Sequence, residues 1–472
     1  MKHIAILGAG PGGYVAAIRA AQLGARVTVV ENQALGGVCL NWGCIPSKAL
    51  LSVVDLGDKI KKAGDLGIQV AGSVGYDPAV MVARKNKVVG TLVKGIATLF
   101  STWGIEHLDG TGSLLDSRTI RVLKKDGADT RVMADALVIA TGSSWPNLPL
   151  FPIDGRQIIT SKQALDLARI PSRLLIVGGG VEGCEFASLY NGLGTVVTIV
   201  ELLPRLLPLE DEEIGRFMER ELKKRGVDIR TGTTVEKVER REKTVDVALK
   251  DGSMITADQL LVSVGRGFNS RGIGLEKAGV LVGSRGEIQV NEHMETNVPG
   301  VYAIGDVVGK AMLAHVASTQ GKVAVENILG HDRRMDYDVV PAGIFTLPEI
   351  GRVGLTEQQV REQAVSQGRQ AETAIKIGRF RYAGLGKAQG MGDITGLFKV
   401  IADAESDKLL GVHIIGAHAA DLIHEATLAM QLGATVAQVA DMIHAHPTLA
   451  EGMMEAMEDV DGRAIHLARK RG

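Results

Sequence analysis

The chain enters on an unbroken apolar run, Ile4 to Leu7, that stops at Gly8. Such a run, with no polar alternation, predicts a strand covered on both faces. Gly8-x-Gly10-x-x-Gly13 follows, then an alanine-rich stretch with helical spacing, then a second apolar run, Val27 to Val30, closed by Glu31. The same order of parts returns at 174–201, with Gly178, Gly180, Gly183 and a closing Glu201. Gly8 and Gly178, and Glu31 and Glu201, are each 170 positions apart. Two further apolar runs also match each other, ADALVIATG (134–142) and ADQLLVSVG (257–265), and predict one closing strand per unit. Residues 419–433 are amphipathic at helical spacing, which fits an interface helix or ordinary core packing.

Strand, glycine turn, helix, strand and acid make a dinucleotide-binding unit. The glycines permit a tight turn and close approach of backbone to pyrophosphate, the helix N-terminus attracts phosphate, and the acid takes ribose hydroxyls. Two complete units imply two nucleotides bound together. Two nicotinamides serve only a transhydrogenase, whereas a flavin with a nicotinamide gives a donor and an electron sink. The acid Glu201 hydrogen-bonds a free 2′-hydroxyl and repels a 2′-phosphate, which favours NAD over NADP; Arg205, close by, argues the other way with less weight.

Composition narrows the chemistry. The 472 residues carry 53 Lys and Arg against 54 Asp and Glu, so no whole-chain field favours nucleic acid or an anionic membrane. No apolar run reaches the roughly 18 residues of a membrane span, Met1 leads straight into a strand without a signal peptide, and a cytoplasmic enzyme is the expectation. Only three cysteines occur, and two lie together in GGVCLNWGCIPSK (36–48). A zinc or iron–sulfur site lacks ligands, since only Cys184 remains, so no metal is expected. A staple over so short a loop adds little stability and is reducible in the cytosol. Redox exchange is the leading reading for Cys39 and Cys44, an inert pair the alternative. The pair follows the first unit's acid, which assigns the flavin to that unit. Cys184 reads as a small buried apolar residue.

With GGVCLNWGCIPSK, ATGSSWP (140–146), GGGVEGCE (178–185), VYAIGDV (301–307), MLAH (312–315), TLPEIGRVGLTE (346–357), HIIG (413–416) and HAHPTLAE (444–451) in order, the chain resembles the pyridine nucleotide–disulfide oxidoreductases over essentially its whole length. The resemblance implies an α/β fold of two Rossmann-like domains plus a C-terminal α+β dimerisation domain. Its parts would be an FAD domain at 1–147, an NAD domain at 148–266, a central segment at 267–339 completing the FAD domain, and an interface domain at 340–472. On the FAD side it implies Lys48, Gly112, Thr141, Gly142, Ser143, Glu185, Asp306 at the ribityl chain and Ala314 beside the ring; Lys48 and Glu185 would pair near the flavin's reactive nitrogen. On the NAD side it adds Val235 and Gly265.

By the same resemblance Cys39 is the interchange thiol, Cys44 the thiol nearer the flavin, and the two form a redox disulfide. His446 is the base, oriented by Glu451 and supplied by the partner subunit of a homodimer, while His444 is structural. The implied reaction oxidises protein-bound dihydrolipoamide, passing electrons through FAD to NAD⁺, with lipoyl domains of 2-oxoacid dehydrogenase or glycine cleavage complexes as partners. Glutathione-type reductases and a mainly docking subunit are the alternatives; mercuric ion reductases are set aside because no cysteine pair follows Cys184. Trp42, Gly267, Phe268 and Ala450 depart from the family's usual residues, and the change at 267–268 is expected to bear on nicotinamide contacts.

Overall fold

The computed structural model describes residues 1–166 and 169–468; Leu167, Ala168 and the last four residues of the expected interface segment lie outside the described residues. The strand His3–Leu7 sits inside a sheet, parallel to Arg26–Glu31 on one side and Ala136–Ile139 on the other. Its burial explains the unbroken apolar run, since Ile4, Ala5 and Ile6 have no exposure at all. The chain leaves this sheet and returns late, when Val301–Ala303 adds beside Ala136–Ile139. The second sheet repeats the plan: Arg173–Val177 lies between Val196–Glu201 and Gln259–Val262, all parallel. The third sheet, from Ala342 to Ile415, is wholly antiparallel.

The redox motif folds as two helices, Gly37–Trp42 and Cys44–Lys61, broken at Gly43. The stretch Gly37–Lys61 is long and apolar enough to cross a bilayer by length and composition, with a mean hydropathy of 1.3, although the sequence reading found no such run. Here its apolar face seats inside the protein. Leu50, Leu51 and Val54 join one core with Leu189 and Tyr190 of the second unit and with Ile344, Ile350 and Ile415 of the third sheet. Each such aliphatic burial contributes about 1.5–3 kcal/mol. The approach is close because position 192 is glycine: a Cβ there would stand 2.0 Å from Val54 Cγ1.

A buried ionic hub ties the second unit to the third sheet. Lys399, 2 % exposed, meets Asp211 at 2.8 Å and Glu357 at 2.8 Å. Arg352 reaches Glu210 beside it at 2.8 Å.

Candidate active site

Each glycine loop is built by exclusion. Gly8 and Gly178 have φ of +108° and +109°, and a Cβ would strike Ala140 O at 2.3 Å or Ser263 O at 2.0 Å. A Cβ at Gly13 or Gly183 would lie 1.9 Å from the carbonyl oxygen of Gly8 or Gly178, so the helix can start only against a bare Cα. Around Gly10 and Gly180 there is space instead: a Cβ would meet at most Gly37 Cα at 4.0 Å. A cradle closed on two sides and open on the third, at the N-termini of Pro11–Gln22 and Val181–Gly192, fits a pyrophosphate.

Both acids are preset by backbone amides. Glu31 accepts from Ala9 and Gln33 N–H at 2.8 Å each. Glu201 accepts from Gly179 at 2.5 Å and Leu203 at 2.7 Å, the same pairs 170 positions on. Four donors aim the carboxylates along the strand ends, leaving lone pairs for ribose hydroxyls. Arg205 is held elsewhere by both of its terminal nitrogens. Its guanidinium donates to the carbonyls of Leu207 and Glu210 at 3.0 Å and of Pro208 at 2.8 Å, which leaves the acid to govern that pocket. Val235 is buried at the start of the strand Val235–Arg240, packed with Val177, Val200 and Val262 below the second loop. Gly265, with φ +101°, turns the chain just beyond Gln259–Val262.

Cys39 lies inside the first redox helix and Cys44 starts the second; both stand as free thiols, partly buried. The Cys39 thiol donates to Cys44 sulfur. That hydrogen bond is the main cause lowering Cys44 to about 7, with the Lys48 charge assisting against burial and Glu185. The same contact, with burial, pushes Cys39 up. Lys48, one turn past Cys44, forms an ion pair with Glu185 of the second glycine helix at 2.8 and 2.9 Å. Glu185 also accepts from Phe345 N–H at 2.9 Å, and the Lys48 ammonium lies 4.6 Å from the Phe345 ring centre. The pair thus spans all three sheet units. Trp42 carries the Lys162 ammonium over its ring at 4.8 Å. Cys184 is fully buried, its thiol 3.4 Å from Gly179 O, and burial raises its pKa.

On the first unit's floor, Ser143 donates to Asp306 at 2.5 Å and accepts from Arg266 Nε at 2.7 Å. Arg266, missed by the sequence reading, also stacks on Trp145 at 4.8 Å. Thr141 and Asn269 exchange side-chain-to-carbonyl hydrogen bonds at 2.8 and 2.9 Å across Gly142, itself at φ +69°. Gly267 and Phe268 pair with Ser144 and Ser143 as a two-residue ladder, so this departure joins the end of the second unit to the floor that carries Ser143. Gly112 has a packing reason of its own: a Cβ would stand 2.4 Å from Leu7 Cδ1. Ala314 opens the helix Ala314–Ile328, half-buried.

His446 lies on the surface of the protomer. Its Nδ1 pairs with Glu451 at 2.8 Å, and its ring is 76 % exposed. Glu451 opens the helix Glu451–Asp459, after Ala450, and its other oxygen accepts from Thr448 N–H at 2.8 Å. Burial works to raise the Glu451 carboxyl, but the Thr448 and His446 contacts prevail and lower it. His444 is bound to Glu425 at 2.9 Å with its ring almost wholly buried. In the same domain the apolar side chains Leu428, Leu432, Met442 and Ile443 are exposed.

Two preset dinucleotide cradles flanking a thiol pair, one thiol poised to ionise, define an oxidoreductase that moves electrons between a nucleotide and a disulfide. Family comparison gives the same class. The pyridine nucleotide-disulphide oxidoreductase description matches residues 2–321, and that family's dimerisation domain matches 340–457. The chain belongs to this family, and it is an enzyme with FAD and NAD as cofactors. It is 42 % identical over 471 residues to dihydrolipoyl dehydrogenase of Thermus scotoductus, covering 98 % of each chain. It is 41 % identical over 477 residues to dihydrolipoyl dehydrogenase of Bacillus subtilis, again covering 98 % of each. Among solved structures it resembles LpdA from Mycobacterium tuberculosis with a TM-score of 0.90 at 28 % identity, covering 98 % of this chain and 100 % of that one.

Proposed function

We propose that this enzyme oxidises protein-bound dihydrolipoamide at a Cys39–Cys44 disulfide and delivers the electron pair to NAD⁺. The observation that carries the reading is the placement of Cys39 and Cys44 as two partly buried thiols on adjoining helices beside the Lys48–Glu185 bridge, whose lysine favours the Cys44 thiolate. Relatives named dihydrolipoyl dehydrogenase, about as long as this chain, support the substrate.

FAD would be held by Gly8, Gly10, Gly13, Glu31, Ser143, Asp306 and Ala314, and NAD by Gly178, Gly180, Gly183 and Glu201. FAD, when bound, supplies two-electron exchange between the dithiol and the nicotinamide. The chain's own residues do the thiol work. With Nδ1 engaged by Glu451, the free Nε2 of His446 takes a proton from one dihydrolipoamide thiol. The thiolate attacks Cys39 sulfur, the Cys39–Cys44 bond breaks, and Cys44 leaves as a thiolate. The imidazolium then passes its proton to Cys39 as the second dihydrolipoamide sulfur attacks its neighbour in the mixed disulfide and Cys39 leaves; the second thiol's own proton goes to His446 and from there to solvent. Lys48 steadies the Cys44 thiolate between the two exchanges.

Because His446 faces outward, the same reading supplies the base from the partner subunit of a homodimer. Lipoyl domains of 2-oxoacid dehydrogenase or glycine cleavage complexes are then the outer partners. A disulfide that must cycle suits a reducing compartment, in line with a cytoplasmic setting. Initial rates test the proposal: dihydrolipoamide with NAD⁺ should far exceed glutathione disulfide with either NADH or NADPH. Faster turnover of glutathione disulfide with NADPH would overturn it.

A further inference from the structure

One helical turn beyond Glu451, on the same helix, stands Glu455. Its side chain is 2 % exposed, and among the described residues both its oxygens are met by one residue of the C-terminal tail. His466 Nδ1 lies 2.5 Å from Oε1, and His466 N–H lies 3.1 Å from Oε2. A carboxylate so withdrawn from water depends on its partners, and losing one leaves an uncompensated charge inside the helix packing. The helix is fixed elsewhere by Arg379 N–H on Asp459 and by Lys376 on Asp461 just past its end. Arg463 also pairs with Asp461. Among the described residues, Glu451 and Glu458 of the same helix also act on the His466 charge. The helix thus carries four carboxylates, at positions 451, 455, 458 and 459, and two imidazoles outside it, those of His446 and His466, pair with Glu451 and Glu455.

We propose that His466 is a positioning residue for the base on the lipoamide side: by satisfying buried Glu455 it fixes the helix that presents Glu451 to His446 and balances its surplus negative charge. The inference rests on the reading of His446 as base. In the holoenzyme, His466→Gln lowers dihydrolipoamide turnover by roughly tenfold to a hundredfold, the scale of a small misplacement of a reacting group. NADH-to-dye transfer, which bypasses the lipoamide side, stays within about twofold of the parent on the same argument. The acid limb of the lipoamide pH profile moves upward, because an uncompensated carboxylate favours the charged imidazole. Glu455→Gln, which removes the buried charge, moves that limb downward.

Limbs that stay fixed in both variants, or dye transfer that falls in parallel with lipoamide turnover, would overturn the proposal. His446→Gln separates the two readings. If it leaves lipoamide turnover intact, the base assignment itself fails; if it slows turnover while His466→Gln does not, only the role of His466 fails.

Discussion

Cys39→Ala gives the sharpest test of the thiol pair. In the native pair the first cause of Cys44's low value is the hydrogen bond from the Cys39 thiol. Alanine removes that donor while leaving Lys48 and Glu185 in place. A hydrogen bond to a charged acceptor contributes about 1.5–3 kcal/mol, and 1.36 kcal/mol corresponds to one pKa unit, so the Cys44 midpoint should rise from about 7 by roughly one to two units. At pH near 7 the reactive thiolate fraction then falls about fivefold to fiftyfold. The assay is the pH dependence of Cys44 alkylation in reduced protein, with the modified residue located by mass spectrometry. The sign also fixes a stability effect. Cys44's folded value lies below its free value, so its contribution is complete at alkaline pH and is lost as pH falls through about 7. A midpoint that stays near 7 in the alanine variant would refute the reasoning and leave the Lys48 charge and the backbone hydrogen bond at Cys44 as the causes.

Two stability predictions follow from packing and charge. Gly13→Ala forces a Cβ to within 1.9 Å of Gly8 O; overpacking of this kind costs about 1–3 kcal/mol, and the variant should melt earlier and hold less flavin per subunit, read by calorimetry and visible absorbance. Lys399→Met strands Asp211, 1 % exposed, without its cation; breaking a buried pair costs about 3–5 kcal/mol, and denaturant unfolding should show that loss, with Lys399→Met/Asp211→Asn recovering much of it.

The glycine loops, their acids and the cysteine pair were legible because each is a local demand. Gly8 must reach φ +108° and Gly13 must lie bare against Gly8, whatever the rest of the chain does. What stayed hidden depends on partners far along the sequence. Ser143 finds Asp306 across 163 positions and Lys399 finds Asp211 across 188, and no periodicity encodes such meetings. Gly267 and Phe268 are a related case: their position in the chain, at the end of the second unit, concealed a ladder with Ser143 and Ser144 of the first. The apolar stretch from Gly37 to Lys61 shows the converse, since composition alone cannot tell a bilayer helix from one whose outer neighbours are other helices. Lys48 and Glu185 joined at sequence level only through family resemblance, for nothing within either helix points to the other.

Coenzyme engineering meets a folded obstacle in the loop after Glu201. Arg205 is the loop's own guanidinium, and it is spent on three carbonyls of Leu207, Pro208 and Glu210, so it serves as the loop's internal strut. Exchanging the acid alone removes a repulsion without supplying a cation to greet a phosphorylated ribose. A switch of nucleotide preference here calls for rebuilding the whole turn, with a new strut to free the arginine or a new arginine beside the old one.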